Sequence, residues 1–169
     1  MTDAATFSPT RRAFLRGRPG VDLPLRPPWA LDEAAFLNTC NGCGDCISAC
    51  PEQVLARGDG DYPLFDPSLG ECLFCEECVT ACGPGALDTT LRDRPWHVTA
   101  AIAPSCLAKN GVTCFSCRDA CGEAAILFRP ARGGAVPELD VGRCTGCGAC
   151  VSPCPVSAIT LFAAEADHG

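Results

Sequence analysis

Apolar positions along this chain come in short bursts separated by Gly, Pro and charge. Residues 31–37 space their apolar side chains as one turn or two of an amphipathic helix. Residues 59–66, with Gly60, Pro63, Leu64 and Phe65, predict a turn running into a short strand. Residues 92–103, containing Trp96 and Val98, predict a linker followed by a strand. Residues 126–129 predict a strand closed by Pro130, residues 132–135 a turn around Gly133 and Gly134, and residues 135–139 the partner strand. Residues 159–162 predict the last strand, and residues 164–169 a frayed tail. The longest weakly apolar stretch, residues 98–103, falls far short of the ~18 residues that cross a membrane, so no spanning segment is expected.

One apolar signature returns four times. Val54-Leu55, Ala86-Leu87, Ala125-Ile126 and Ala158-Ile159 each stand four and five residues after a cysteine that is itself followed by Pro or Gly. Those cysteines close four similar runs. The first is Cys40, Cys43, Cys46 and Cys50; the second is Cys72, Cys75, Cys78 and Cys82; the third is Cys106, Cys114, Cys117 and Cys121; the fourth is Cys144, Cys147, Cys150 and Cys154. The intervals between the closing cysteines are 32, 39 and 33 residues, a repeat that outranks any single-segment reading. Runs one, two and four share the spacing Cys-x2-Cys-x2-Cys-x3-Cys, whereas the third has five extra residues between its first two cysteines.

Composition explains why such a repeat matters. Of 169 residues, 16 are Cys and only 36 are Leu, Ile, Val or Phe, close to the level where a packed aliphatic core becomes doubtful. Another 32 are Gly or Pro, which favour turns. A Rossmann domain, a long helical bundle and a β-sandwich are disfavoured, and the cysteines must supply what the aliphatic side chains do not. Eight disulfides would need an oxidising compartment. Arg11-Arg12 with Phe14 and Leu15 resembles a twin-arginine export signal, but Gly17, Pro19, Gly20 and Pro24 follow where an apolar segment is needed. The chain is therefore expected to be cytoplasmic, with thiols that ligate metal. The arm itself reads as a basic, poorly ordered segment, or as an imitation of an export signal that touches the same machinery or partner.

Four cysteines within eleven residues fit structural zinc poorly, because zinc sites usually set two Cys-x2-Cys pairs on a longer loop. The spacing is that of bacterial ferredoxins, in which three cysteines of one run wrap a [4Fe–4S] cluster and the fourth ligates the neighbouring cluster. Short links turn backbone N–H groups toward sulfur, and Gly42, Gly44, Gly146 and Gly148 allow the close approach. Carried onto adjacent runs, the crossed pattern groups Cys40, Cys43 and Cys46 with Cys82, and Cys72, Cys75 and Cys78 with Cys50. It likewise groups Cys106, Cys114 and Cys117 with Cys154, and Cys144, Cys147 and Cys150 with Cys121. Three [4Fe–4S] clusters are expected from runs one, two and four and a fourth from run three, where Cys106 is displaced. The expected fold is α+β, small and irregular. It comprises an Arg/Pro-rich arm over 1–30, one two-cluster ferredoxin-like module over 31–92, a second over 93–163, and the tail 164–169.

Nothing else in the sequence suggests catalysis. His97 and His168 are isolated, and nucleophile motifs and a phosphate-binding loop are absent. Lys109, the only lysine, reads first as a solvated loop charge and second as a group that tunes a nearby cluster. Glu76 and Glu77 place negative charge in the second loop, which predicts that its cluster is harder to reduce than the fourth. Phe74 and Phe115 read as shields against water. The formal charge of −7 disfavours nucleic acid. Sixteen ligating thiolates and four +2 cores take it to about −15, a field that favours a basic docking surface.

The chain resembles a bacterial polyferredoxin family, the ferredoxin-type proteins found with periplasmic nitrate reductases. The likeness rests on Arg11-Arg12, Arg26-Pro27-Pro28-Trp29, the four runs in this order with the stretched Cys106–Cys114 spacing, Phe128-Arg129-Pro130, and Cys154-Pro155-Val156-Ser157-Ala158-Ile159. Pro directly follows the closing cysteine only in runs one and four, so the other two match more loosely. The resemblance implies a cytoplasmic iron–sulfur protein that meets the precursor of the molybdenum-containing catalytic subunit of periplasmic nitrate reductase. It would aid that subunit's maturation by electron transfer or cluster assembly. The residues alone leave open a general low-potential electron carrier and a scaffold whose clusters never turn over.

Overall fold

A computed structural model describes residues 24–163 of the protein. The twin-arginine arm, His168 and the tail 164–169 lie outside the described residues. The fold is the small, irregular α+β arrangement the sequence predicts, built from two ferredoxin-type modules. Its helices are α1 (Glu33–Thr39), α2 (Asp45–Ser48), α3 (Glu77–Thr80) and α4 (Ser116–Asp119). Its strands are β1 (Leu55–Arg57), β2 (Pro63–Phe65), β3 (Val98–Ile102), β4 (Ile126–Ala131), β5 (Gly134–Leu139) and β6 (Ile159–Ala163).

Both modules follow one plan. A hairpin separates the two cysteine runs of each, β1 with β2 in the first and β4 with β5 in the second. The segment before the first run then pairs antiparallel with the segment after the last. In the second module this is β3 with β6, running from Val98↔Ala163 to Ile102↔Ile159. In the first it shrinks to a single bridge, Ala30↔Leu87.

The fourfold apolar signature is what roots each run. The carbonyl of every closing cysteine accepts the N–H three residues on: Gln53, Gly85, Ala124 and Ser157, at 3.0–3.2 Å. Each of these four residues takes positive φ, between 47° and 76°, although only one is glycine. The reversal drops the next two residues inward. Val54, Ala86, Ala125 and Ala158 are 1% exposed, and Leu55, Leu87, Ile126 and Ile159 at most 5%. Burying a Leu or Ile side chain stabilises by roughly 1.5–3 kcal/mol, ample to offset a left-handed non-glycine residue at about 1–2 kcal/mol. Around these residues lie three small apolar clusters, each including cysteines.

Several expectations shift. The first helix starts two residues late, at Glu33, because the Leu31 N–H is drawn to the carbonyl of Ala86 and Asp32 takes the capping position. β4 does not stop at Pro130, since Pro130 sits opposite Ala135 in a two-stranded sheet where a strand needs few N–H donors. The hairpin reversal is consequently Arg132-Gly133, with Gly133 at φ 90°. The arm expected through residue 30 joins the first module earlier. Phe65 N–H donates to Leu25 O, Pro27 is fully buried, and Arg26 pairs with Glu33 at 2.7 Å while donating to Pro63 O.

Candidate metal centres

In space the sixteen cysteines form four sets of four, and each set takes three thiols from one run and one from its module partner. The second set, Cys50, Cys72, Cys75 and Cys78, rings a hollow of about 410 Å³ including its open mouth. The fourth, Cys121, Cys144, Cys147 and Cys150, rings one of about 340 Å³, and the third, Cys106, Cys114, Cys117 and Cys154, one of about 320 Å³. In the first set Cys46 lies within electrostatic reach of Cys82, Cys40 and Cys43. Among the described residues, no Cys, His, Asp or Glu side chains close on a position for a single metal ion; the thiols ring hollows instead.

The displaced Cys106 reaches its set because the five extra residues fold back on themselves. Residues Ala108–Asn110 form a 3₁₀ turn, and Asn110 Nδ2 donates to the carbonyls of Pro104 and Cys106, both at 2.8 Å. Lys109 is exposed, yet its ammonium donates to Ile102 O at the end of β3, so it fastens this loop and is not merely a solvated charge.

Loops one, two and four share a backbone shape. Positions two and four after the first cysteine are left-handed: Gly42 and Gly44 at φ 69° and 86°, Gly146 and Gly148 at 74° and 90°, and in the second loop Phe74 and Glu76 at 54° and 63°. At Gly146 the space is closed as well: a Cβ there would lie 2.6 Å from the backbone oxygen of Val98, whereas one on Gly44 would meet only the movable end of the Arg57 side chain. Phe74 and Glu76 hold the same shape without glycine, at a conformational cost that their sequence position does not reveal.

These sets suit thiolate-ligated clusters chemically. Backbone N–H groups point at sulfur: Phe74 to Cys72 at 3.4 Å, Ala125 to Cys121 at 3.3 Å and Ala158 to Cys154 at 3.2 Å. Trp29 lines the second hollow, and its indole N–H is buried with no partner among the described residues, a donor left available for sulfur. Burial, reinforced by the neighbouring thiols, pushes the Cys46 and Cys72 thiols up to about 11 and those of Cys78 and Cys150 up to about 12. Cys117 is pushed up for the same reasons. Thiolates gathered here therefore need a cationic core beside them.

Aromatic rings close the sites. Phe74 meets Trp96 edge-on at 5.6 Å, and Phe115 meets Phe128 at 4.7 Å with the Arg118 guanidinium 4.5 Å above the Phe115 ring. His97 is exposed. Sequence reasoning missed Trp29 and the left-handed residues at Gln53, Ala124 and Ser157, which carry no compositional signal of their role.

Comparison with known proteins agrees with the geometry. The 4Fe–4S dicluster domain family matches residues 39–87, and the 4Fe–4S binding domain family matches residues 137–160. Multiple [4Fe–4S] clusters are the cofactors these matches support. The chain is 43% identical over 153 residues to the ferredoxin-type protein NapF of Escherichia coli, covering 89% of this chain and 93% of that protein. It is 38% identical to NapF of Haemophilus influenzae, covering 89% and 92%. It is also 31% identical to the methylamine utilization ferredoxin-type protein MauM of Paracoccus denitrificans, covering 93% and 79%.

Proposed function

We propose that this chain, which belongs to the NapF family of ferredoxin-type iron–sulfur proteins, holds one [4Fe–4S] cluster in each of its four crossed thiol sets. We further propose that it uses them in the cytoplasm to mature the catalytic subunit of periplasmic nitrate reductase before export. The observation that carries the cluster assignment is the convergence of Cys106, Cys114 and Cys117 with Cys154, since that is the set whose spacing departs from the ferredoxin pattern. A bound [4Fe–4S] cluster supplies a one-electron couple whose potential depends on hydrogen bonds to sulfur, charge and solvent access.

The chain's own residues set those terms. Ala125 and Ala158 give their N–H groups to sulfur and bury their methyls in the same step, which makes a small residue at that offset doubly useful. Phe74, Phe115 and Trp96 limit water. The role these residues serve in this reading is electron carriage. The partner assignment rests on the family, and the strong negative charge of the loaded protein supports a basic docking face on that partner. A second reading, a general low-potential carrier, is favoured by the likeness to MauM, a ferredoxin-type protein named for a different process, methylamine utilization.

Two measurements test the proposal. Anaerobically prepared protein is expected to carry about sixteen iron and sixteen sulfide per chain, and about twelve would remove the third set. Immobilised holo-protein is expected to capture the unexported nitrate reductase subunit in preference to unrelated iron–sulfur acceptors. Equal capture of both would favour the general carrier.

A further inference from the structure

The modules are joined through the second and fourth cysteine loops. The N–H of Cys72 donates to the carbonyl of Cys147 at 2.8 Å, linking a ligand position of the second set to one of the fourth. Gly148 is pressed so closely onto the first module that an added Cβ would lie 3.0 Å from Phe65 and Pro67. Trp96 bolts this contact. Its ring packs on Phe65 at 5.0 Å and against Phe74 of the second loop, while its Nε1–H donates to Thr145 O of the fourth loop at 2.8 Å. Within the modules, Cys46 of the first set and Cys78 of the second pack in one apolar cluster, and Cys117 of the third set and Cys150 of the fourth in another. The Cys72 and Cys147 thiols also lie within electrostatic reach of each other.

We propose that electrons cross the protein in the spatial order first, second, fourth, third set, and that Trp96 is the positioning residue of the junction between the second and fourth. The inference rests on the reading that the sets hold [4Fe–4S] clusters. At the junction one electron leaves a reduced centre, whose core returns from 1+ to 2+, and enters an oxidised one, whose core goes from 2+ to 1+. No bond or proton changes place. The end sets exchange with outside partners of two classes, a low-potential one-electron donor and an oxidised metal-centred acceptor. Runs consecutive in sequence, the third and fourth, are thus traversed in reverse.

The test is electron paramagnetic resonance of the full chain, loaded anaerobically and fully reduced with titanium(III) citrate. A Cys43→Ala/Cys114→Ala chain keeps sets two and four intact, and a Cys75→Ala/Cys147→Ala chain keeps sets one and three. Spin–spin broadening and fast relaxation are expected in the first and two independent signals in the second. Independent signals in the first, or equal coupling in both, overturn the order. In the otherwise unaltered chain, Trp96→Ala is expected to lose the inter-module coupling. Trp96→Phe keeps an aromatic ring in the contact but loses the bond to Thr145 together with part of the indole's packing, so it is expected to retain its iron and show weakened coupling. Wild-type coupling in both variants overturns the role of Trp96. Iron and sulfide analysis separates the failures: a fully loaded chain without coupling sinks the electron order alone, and a chain that binds no clusters sinks the reading beneath it.

Discussion

Arg57 reaches back across the first cysteine loop and donates to the carbonyl of Gly42, 3.1 Å away. A second bond from the same guanidinium goes to Cys43 O at 3.3 Å. The positive charge thus sits against the loop that wraps the first set, where it eases reduction. Arg57→Ala is expected to lower the midpoint of that centre by a few tens of millivolts, less than the ~59 mV of a tenfold change in a one-electron equilibrium. Redox titration followed by electron paramagnetic resonance checks this, and an unshifted midpoint would show the charge to be screened.

Glu76 combines two unfavourable features, a left-handed backbone and a negative charge beside the second set. Glu76→Gly relieves the first, worth about 1 kcal/mol at a position of positive φ, and removes the second. The variant is expected to retain its clusters longer in air and to raise the second midpoint toward that of the fourth. The wild-type protein should show the second centre harder to reduce than the fourth, and equal midpoints would count against any role for this charge.

The indole N–H of Trp29, without a partner among the described residues, is the donor in the second site most simply removed. Trp29→Phe keeps the packing and removes the donor. Its expected effect is a downward shift of the second centre's midpoint with no change in iron content. A midpoint equal to wild type would place the N–H outside that centre's influence.

Crossed ligation makes a directional forecast for Cys50, which belongs to the first run but sits with Cys72, Cys75 and Cys78. Cys50→Ser should perturb the spectrum of the second centre and leave the first intact. The reverse pattern would return the ligands to their own runs.

Protons compete with metal for these thiols. Burial and neighbouring thiols push Cys46 and Cys72 up to about 11 and Cys78 and Cys150 up to about 12, so each holds its proton below that range and must release it to ligate. Ligation needs thiolates and releases protons, so cluster loading weakens as pH falls. Iron uptake measured across pH should increase toward alkaline values. Iron removal with a chelator at neutral pH should abolish cooperative unfolding by circular dichroism, because cysteines occupy places that aliphatic side chains fill elsewhere.

Much of this architecture was legible because the repeat is covalent chemistry written at fixed spacing. The four cysteine runs and the Val/Ala-Leu/Ile pairs behind them marked the sites and the buried roots together. The hairpin around Gly133 was legible from its turn residues. What was not legible falls into two kinds. Left-handed backbone at Gln53, Phe74, Glu76, Ala124 and Ser157 is imposed by the surrounding turn and overrides residue preference. The union of the modules through Trp96, Thr145, Cys72 and Cys147 links residues far apart in sequence, so no local pattern announces it. Division into modules near residue 92 likewise conceals that Trp96 shares a core cluster with Val54, Leu55 and Phe65.

The seat that Phe65 and Pro67 form beneath Gly148 has a consequence for biogenesis. A chain made from its N-terminus completes β1 and β2 some eighty residues before the fourth loop emerges. The first module is the surface on which that loop closes, so the ligands of its two centres stand in the chain before those of the second module, and the third set, which waits for Cys154, is completed last.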